Sequence, residues 1–216
     1  MVWWRFKEDK FFLRLVFIVL LLISPQFAFA ADSKPTAVSK PIDVIKTGSQ
    51  EVLKILRGSR GDKGPSLRQR QDEILNVVSQ YFNFEEMARR ALGHPWKDQP
   101  PEKRQEFAQL FKRLLYTTYI SRIEHYTGSD EQIFYDYERV QGEYALVKTH
   151  ILYQGNSNVS IDYRLQLEGG EWKVYDVVVE GMSFVENYRG QFASILANES
   201  FDSLLSRLRQ KVEHPS

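Results

Sequence analysis

The sequence predicts an α+β fold, a four-stranded antiparallel twisted sheet covered by about six helices and enclosing an apolar pocket. Two observations carry this prediction. Apolar residues recur every 3.6 positions up to about residue 120, every second position from Ile133 to Val179, and every 3.6 again to the C-terminal end. The alternating stretch is cut by Gly155 and by Gly169-Gly170 into short runs with one apolar face each. Such a sheet must bury that face, and helices on both sides of it in sequence are the available cover. A curved sheet wrapped by helices is also a common way to build a cone-shaped pocket.

The first thirty residues read as a cleavable secretory leader. Arg5, Lys7, Lys10 and Arg14 make a positive start, Leu15 to Ile23 an apolar run, and Ala28-Phe29-Ala30 the small residues a signal peptidase reads, with cleavage after Ala30. That run stops at Ser24-Pro25, short of the ~20 residues an uncleaved membrane anchor needs. Removing the leader's four Lys/Arg and two Asp/Glu from totals of 29 and 28 leaves 25 against 26, so nothing in the charge calls for nucleic acid. The sequence holds no cysteine, which rules out disulfides and a lipidated terminus. An exported domain held by its core alone suits a bacterial envelope compartment.

Residues 31–40, rich in Pro, Ser, Lys and Thr, read as a flexible mature terminus, 41–212 as one domain, and 213–216 as a tail. Ile42, Ile45, Val52, Leu53 and Leu56 mark the first helix, and Ile74, Leu75, Val78 and Tyr81 the second. The loop from Arg57 to Pro65 separates them. It contains Arg-Gly-Asp, yet its three glycines and a proline are sufficient reason for a solvated connector. Asn83 and Glu86 suggest a capping box for a short helix, Phe84 to Leu92, that Gly93 ends. After Pro100-Pro101, residues Phe107, Leu110, Phe111, Leu114, Leu115 and Thr118 define a long amphipathic helix running to Tyr126.

The strands follow. Ile133, Tyr135 and Tyr137 form one face of the first; Ala145, Val147, Thr149, Ile151 and Tyr153 of the second; Val159, Ile161, Tyr163, Leu165 and Leu167 of the third. Gly169-Gly170 turns into a fourth, Trp172 to Glu180. Phe184, Val185, Tyr188, Phe192, Ile195 and Leu196 return to helical spacing, and a last helix starting near Ser200 carries Leu204, Leu205, Leu208 and Val212.

Most enzyme chemistry finds no support here. The four histidines, His94, His125, His150 and His214, are scattered without metal-ligand spacing, so no metal site and no cofactor are expected. There is no phosphate-binding glycine loop, no nucleophile elbow and no thiol. No residue is assigned a catalytic role. One enzymatic alternative remains: Asp176, in an otherwise apolar strand beside Val174 and Val178, acting as general base in a cone-shaped pocket, with Asp162 its nearest rival. The competing reading is that Asp176 pairs with an arginine or caps backbone near the sheet end. A ligand-free envelope adaptor whose pocket is simply filled core is the third class. Tyrosines on the long helix and sheet suit ordinary packing, and equally the wall and mouth of a cavity holding an amphiphile.

Two separated motifs then become informative together. Tyr81-Phe82-Asn83-Phe84, Met87-Ala88-Arg89, Ala91-Leu92-Gly93 and Trp96 are followed late in the chain by Trp172-Lys173-Val174-Tyr175-Asp176-Val177, Glu180-Gly181-Met182-Ser183, Asn187-Tyr188-Arg189 and Gln191-Phe192. In this order the chain resembles the MlaC, or toluene-tolerance, family of periplasmic phospholipid-binding proteins. Asn83 stands where the family often has Asp, and either residue caps a helix. Met182 stands where a smaller aliphatic is common, and the glycine-rich loop has no counterpart we can match.

The resemblance implies a carrier that shuttles phospholipid through the periplasm. Its partners would be an outer-membrane lipoprotein complex and an inner-membrane MCE-domain ring of an ABC transporter, in a system that maintains outer-membrane lipid asymmetry. By family position Met182 lines the tail pocket. The residue pattern adds Val147, Ile151, Ile161, Tyr163, Leu165, Val174, Tyr116 and Tyr119. Arg89, Arg90 and Arg189 are candidates to meet a headgroup phosphate at the mouth, against the alternative of solvated surface arginine.

Overall fold

The computed structural model describes residues 38–58, 65–120, 132–153 and 157–214. The leader, residues 31–37, the Arg-Gly-Asp stretch, Tyr126, the Gly155 turn and the side chain of Tyr153 lie outside the described residues.

Six α-helices and five strands are described: α1 Pro41–Gly58, α2 Leu67–Tyr81, α3 Phe84–Leu92, α4 Pro101–Leu115, β1 Gln132–Gln141, β2 Tyr144–Tyr153, β3 Ser157–Glu168, β4 Glu171–Val179, β5 Met182–Ser183, α5 Phe184–Leu196 and α6 Phe201–Glu213. The strands pair antiparallel in the order β1-β2-β3-β4-β5. The fifth is a two-residue strand that the sequence pattern is too short to show. It pairs Val179 with Met182 and leads directly into α5.

Local chemistry explains the boundaries. Ser66 and Gln69 form a reciprocal capping box at α2, each side chain bonded to the other's backbone N–H. At α3 the expected box is only half made. Asn83 Oδ1 accepts from the Glu86 N–H at 2.8 Å, but the Asn83 N–H donates to the Val174 carbonyl at 2.9 Å, and the Glu86 carboxylate is taken by arginines. The β3–β4 hairpin turns on Gly169 and Gly170 with φ of 56° and 88°, the paired left-handed conformations a two-residue turn demands.

Two bulges correct the alternation read from the sequence. In β1 the register shifts between Tyr135 and Tyr137, so Tyr137, expected on the buried face, is 49% exposed. Glu138 turns inward instead and accepts the N–H of Ile42 at 3.0 Å, tying the start of α1 to the sheet. In β4 the shift lies opposite Arg164 and Leu165, where Val174 pairs with Leu165 and Asp176 with Arg164. Tyr175 is the extra residue, and Asp176 faces the other side of the sheet from Val177.

The apolar residues fall into three groups. Helices α3 to α6 pack around Phe107, Phe111, Tyr188 and Phe192, all at most 1% exposed and joined by ring contacts of 5.1 to 6.1 Å. The inner sheet face, with Val147, Ile151, Ile161, Leu165 and Val174, packs against Ile45 of α1. Between α1 and α2 Val52 and Ile74 are fully buried, with Ile55, Leu56, Val77 and Val78 half-buried around them, and Leu53 of α1 is 2% exposed. Among the described side chains of α2 only Ile74 is buried, so α2 is held more lightly than the other helices.

Candidate functional site

Beneath α1 and α2 the three groups do not quite meet, and an apolar cavity of about 130 Å³ lies between them. Helix α1 lines it with Val44, Ile45, Gly48, Ser49 and Val52, and α2 with Leu75, Val77, Val78 and Tyr81. Phe82, Phe84 and Met87 form the wall where α2 passes into α3, and Tyr163 and Val177 come from the inner face of β3 and β4. Leu115, Tyr116, Tyr119 and Phe184 complete it.

The far wall departs from the predicted long helix. After Leu115 the chain takes a π-helical turn, Tyr116–Ile120, which widens the helix by a residue per turn. Tyr116 and Tyr119 both line the cavity from this turn. Tyr119 stacks on Phe184 at 4.7 Å with ring planes 6° apart, and its hydroxyl is hydrogen-bonded to Tyr188. Burial pushes the phenols of Tyr119, Tyr163 and Tyr188 up, so all three are neutral at physiological pH. The cavity therefore presents hydrocarbon and uncharged phenols, with the Ser49 hydroxyl satisfied by the Ile45 carbonyl at 2.7 Å.

Of the residues proposed from the sequence, Tyr116, Tyr119 and Tyr163 line this cavity. Val147, Ile151, Ile161, Leu165 and Val174, each 0% exposed, lie beside Tyr163 and Val177 on the inner sheet face and in the same apolar cluster, without lining the cavity. Met182 is 40% exposed and lies outside the lining, two residues before Phe184, which is part of it. The lining residues that pattern reading missed are those of α1 and α2, together with Phe82, Phe84, Met87, Leu115, Val177 and Phe184. The 3.6 spacing of the two helices is legible, but an apolar stripe looks the same whether it faces packed core or a cavity.

The three arginines lie elsewhere, within a structural network. Glu86 is 8% exposed and takes Arg89 Nε at 2.5 Å and Arg90 Nε at 2.6 Å. Burial acts to raise its carboxyl, and the hydrogen bonds and charges of the two arginines outweigh this, leaving it below the ordinary glutamate value. The Arg90 guanidinium stacks 3.9 Å from the ring centre of Tyr175, and Arg189 donates twice to the Arg90 carbonyl, at 2.9 and 2.7 Å. This network ties α3 to α5 and β4, and none of its arginines reaches the cavity lining.

Asp176 is placed as the pairing and capping alternative described it. Its carboxylate accepts from Arg164 at 3.0 Å, Ser183 Oγ at 2.7 Å and the Val185 N–H at 3.0 Å. It pins the start of α5 to β4 on the face turned away from the cavity. Burial, the largest influence, raises its pKa despite these bonds. A general base for cavity-bound substrate is not available from this position. Asp162 lies opposite Lys148, its carboxylate 3.4 Å from Nζ, on the polar face of β3. Among the described residues no cluster of His, Cys, Asp or Glu could hold a metal ion, and no helix is long and apolar enough to cross a membrane.

Comparison with known proteins bears on what this cavity serves. The "Intermembrane phospholipid transport system binding protein MlaC" of Haemophilus influenzae is 27% identical over 146 residues, 66% of this chain and 68% of that protein. The "Toluene tolerance protein ttg2D" of Pseudomonas putida is 24% identical over 192 residues, 88% and 85% of the two chains. In fold the chain matches a phospholipid-binding protein from Ralstonia solanacearum, solved in complex with a phospholipid. The TM-score is 0.72 at 24% identity, over 81% of this chain and 98% of that one. The model of the MlaC protein family matches residues 46–210, from within α1 into α6, and the chain belongs to that family.

Proposed function

We propose that the protein is a periplasmic phospholipid carrier whose cavity under α1 and α2 receives the acyl tails. The observation that carries this is the cavity itself: a space walled by hydrocarbon and neutral phenols, with no charged group in its lining, between the sheet and helices α1 and α2. An adaptor with a filled core would have no such space. A phospholipid is the cargo, and no cofactor or bond chemistry is required of the protein.

Burying two acyl chains of about thirty methylenes in total, at ~0.8 kcal/mol each, is worth over 20 kcal/mol relative to water. Release into solvent is then negligible, and transfer takes place at docked partners. Moving the tails from bilayer to cavity replaces one hydrocarbon environment with another, so small differences in partner affinity set the direction of flow. An outer-membrane lipoprotein complex and an inner-membrane MCE-domain ring of an ABC transporter are the partners expected from the resemblance to the MlaC family.

At about 130 Å³ the cavity falls below the ~300–1,000 Å³ of drug-sized ligand sites, so loading requires a wall to move. Helix α2, in which Ile74 is the one buried side chain among those described, is the part of the wall that can. It is tied at its C-terminal end, by the Lys173 ammonium on the Gln80 carbonyl at 2.7 Å and by the Tyr81 hydroxyl to Glu51 of α1. Along the rest of its length it rests on the small cluster it shares with α1. Incubation with vesicles containing a fluorescent phosphatidylglycerol tests the reading. Soluble protein separated from the vesicles is expected to carry the label, and protein that stays unlabelled at every lipid concentration contradicts it.

A further inference from the structure

Gly48 stands in the middle of α1, where glycine is among the least favourable residues for a helix. Its φ is ordinary, so backbone freedom does not explain it. Space does. A Cβ at this position would lie 3.0 Å from Tyr81 Cδ2, 3.1 Å from Cγ and 3.3 Å from Cε2. The ring of Tyr81 lies against the bare backbone of α1, and both residues line the cavity.

The ring has little freedom to withdraw. Tyr81 ends α2, and its neighbours are fixed on both sides: Lys173 Nζ holds the Gln80 carbonyl at 2.7 Å, the Phe82 N–H is bonded to Val78 at 3.0 Å, and the Asn83 N–H to Val174 at 2.9 Å. Its hydroxyl is hydrogen-bonded to Glu51, one turn beyond Gly48 on α1. An aromatic plate held at its backbone and at its tip, and seated on a glycine, fixes the approach of the two helices. We propose that Gly48 and Tyr81 form the acyl-chain gauge of the cavity, the seated ring setting the width between α1 and α2 and thereby the length of chain retained.

This rests on the carrier reading, and the experiment separates the two. The chain is offered vesicles containing equal amounts of dilauroyl, dimyristoyl and dipalmitoyl phosphatidylglycerol, and bound lipid is read by native mass spectrometry. In Gly48→Ala the new methyl, set against a ring that cannot withdraw, takes up space in the cavity both residues line, and the bound ratio shifts toward shorter chains by about tenfold, the discrimination a methylene carries in an apolar pocket. In Tyr81→Leu the cavity widens and the ratio shifts toward longer chains. The double variant returns toward the unsubstituted ratio. Unchanged ratios in folded single variants overturn the gauge while leaving the carrier standing, and no uptake by the unsubstituted chain overturns both. Should Gly48→Ala fold poorly, the Tyr81→Leu shift decides.

Discussion

Glu86, read from the sequence as a helix-capping residue, anchors at the residue scale two of the charges that looked functional there, Arg89 and Arg90. It sits among Met87, Ala88 and Ala91, all at most 1% exposed, and is kept ionised by Arg89 and Arg90. Replacing it in Glu86→Gln leaves two guanidinium groups without their carboxylate. The expected loss is about 1–3 kcal/mol, read as a fall in Tm of roughly 2–12 °C. The pH dependence carries a sign. A carboxyl lowered by folding stabilises above its unfolded value of ~4.3, and this stabilisation is lost as pH falls through the folded value. The Tm gap between the unsubstituted chain and Glu86→Gln therefore narrows on acidification below about pH 4.5, and a gap independent of pH would contradict this role. The pattern Glu-x-x-Arg-Arg was visible in the sequence. What it could not show is that a β-bulge turns Tyr175 under Arg90, which commits that arginine to packing instead of to a headgroup.

At the scale of elements, periodicity located the helices and the main strands because each buries one face, and a single buried face leaves a regular trace. It failed where a local irregularity resets the count. The bulge before Tyr137 exchanges the faces of β1, the π-turn at Tyr116 interrupts the 3.6 spacing of the predicted long helix, and β5 is too short to have a period. The contrast in packing between elements has a measurable consequence. Amides of α2, resting on a small half-buried cluster, should exchange with deuterium well before those of α4, whose Phe107, Phe111 and Leu114 are fully buried. Equal protection of the two helices would remove the basis for calling α2 the movable wall. Met182, at the start of β5, tests how far the loaded cavity extends. Exposed as it is, Met182→Glu should change stability by no more than ~0.5 kcal/mol. If the cavity grows past Phe184 when tails enter, the same variant loses bound lipid at unchanged Tm; retained lipid would mean that the tails stop short of β5.

For the whole molecule, the architecture places a firm helical body and a sheet around one yielding wall. The fold class and the family were legible in the sequence, because two motifs at opposite ends of the domain meet in space: Asn83 bonds to Val174, and Arg189 to Arg90. The cavity was legible only in part, through Tyr116, Tyr119 and Tyr163, since its other half is made by helices whose apolar stripes carry no mark of the space beside them. Family membership supports the choice of phospholipid as cargo, and the cavity supplies the physical means of holding it. Native mass spectrometry of the chain purified from cells without detergent, followed by lipid extraction, tests this most directly. Stoichiometric phospholipid retained by the folded protein is the expected result, and a ligand-free protein that also takes up no lipid from vesicles would contradict it.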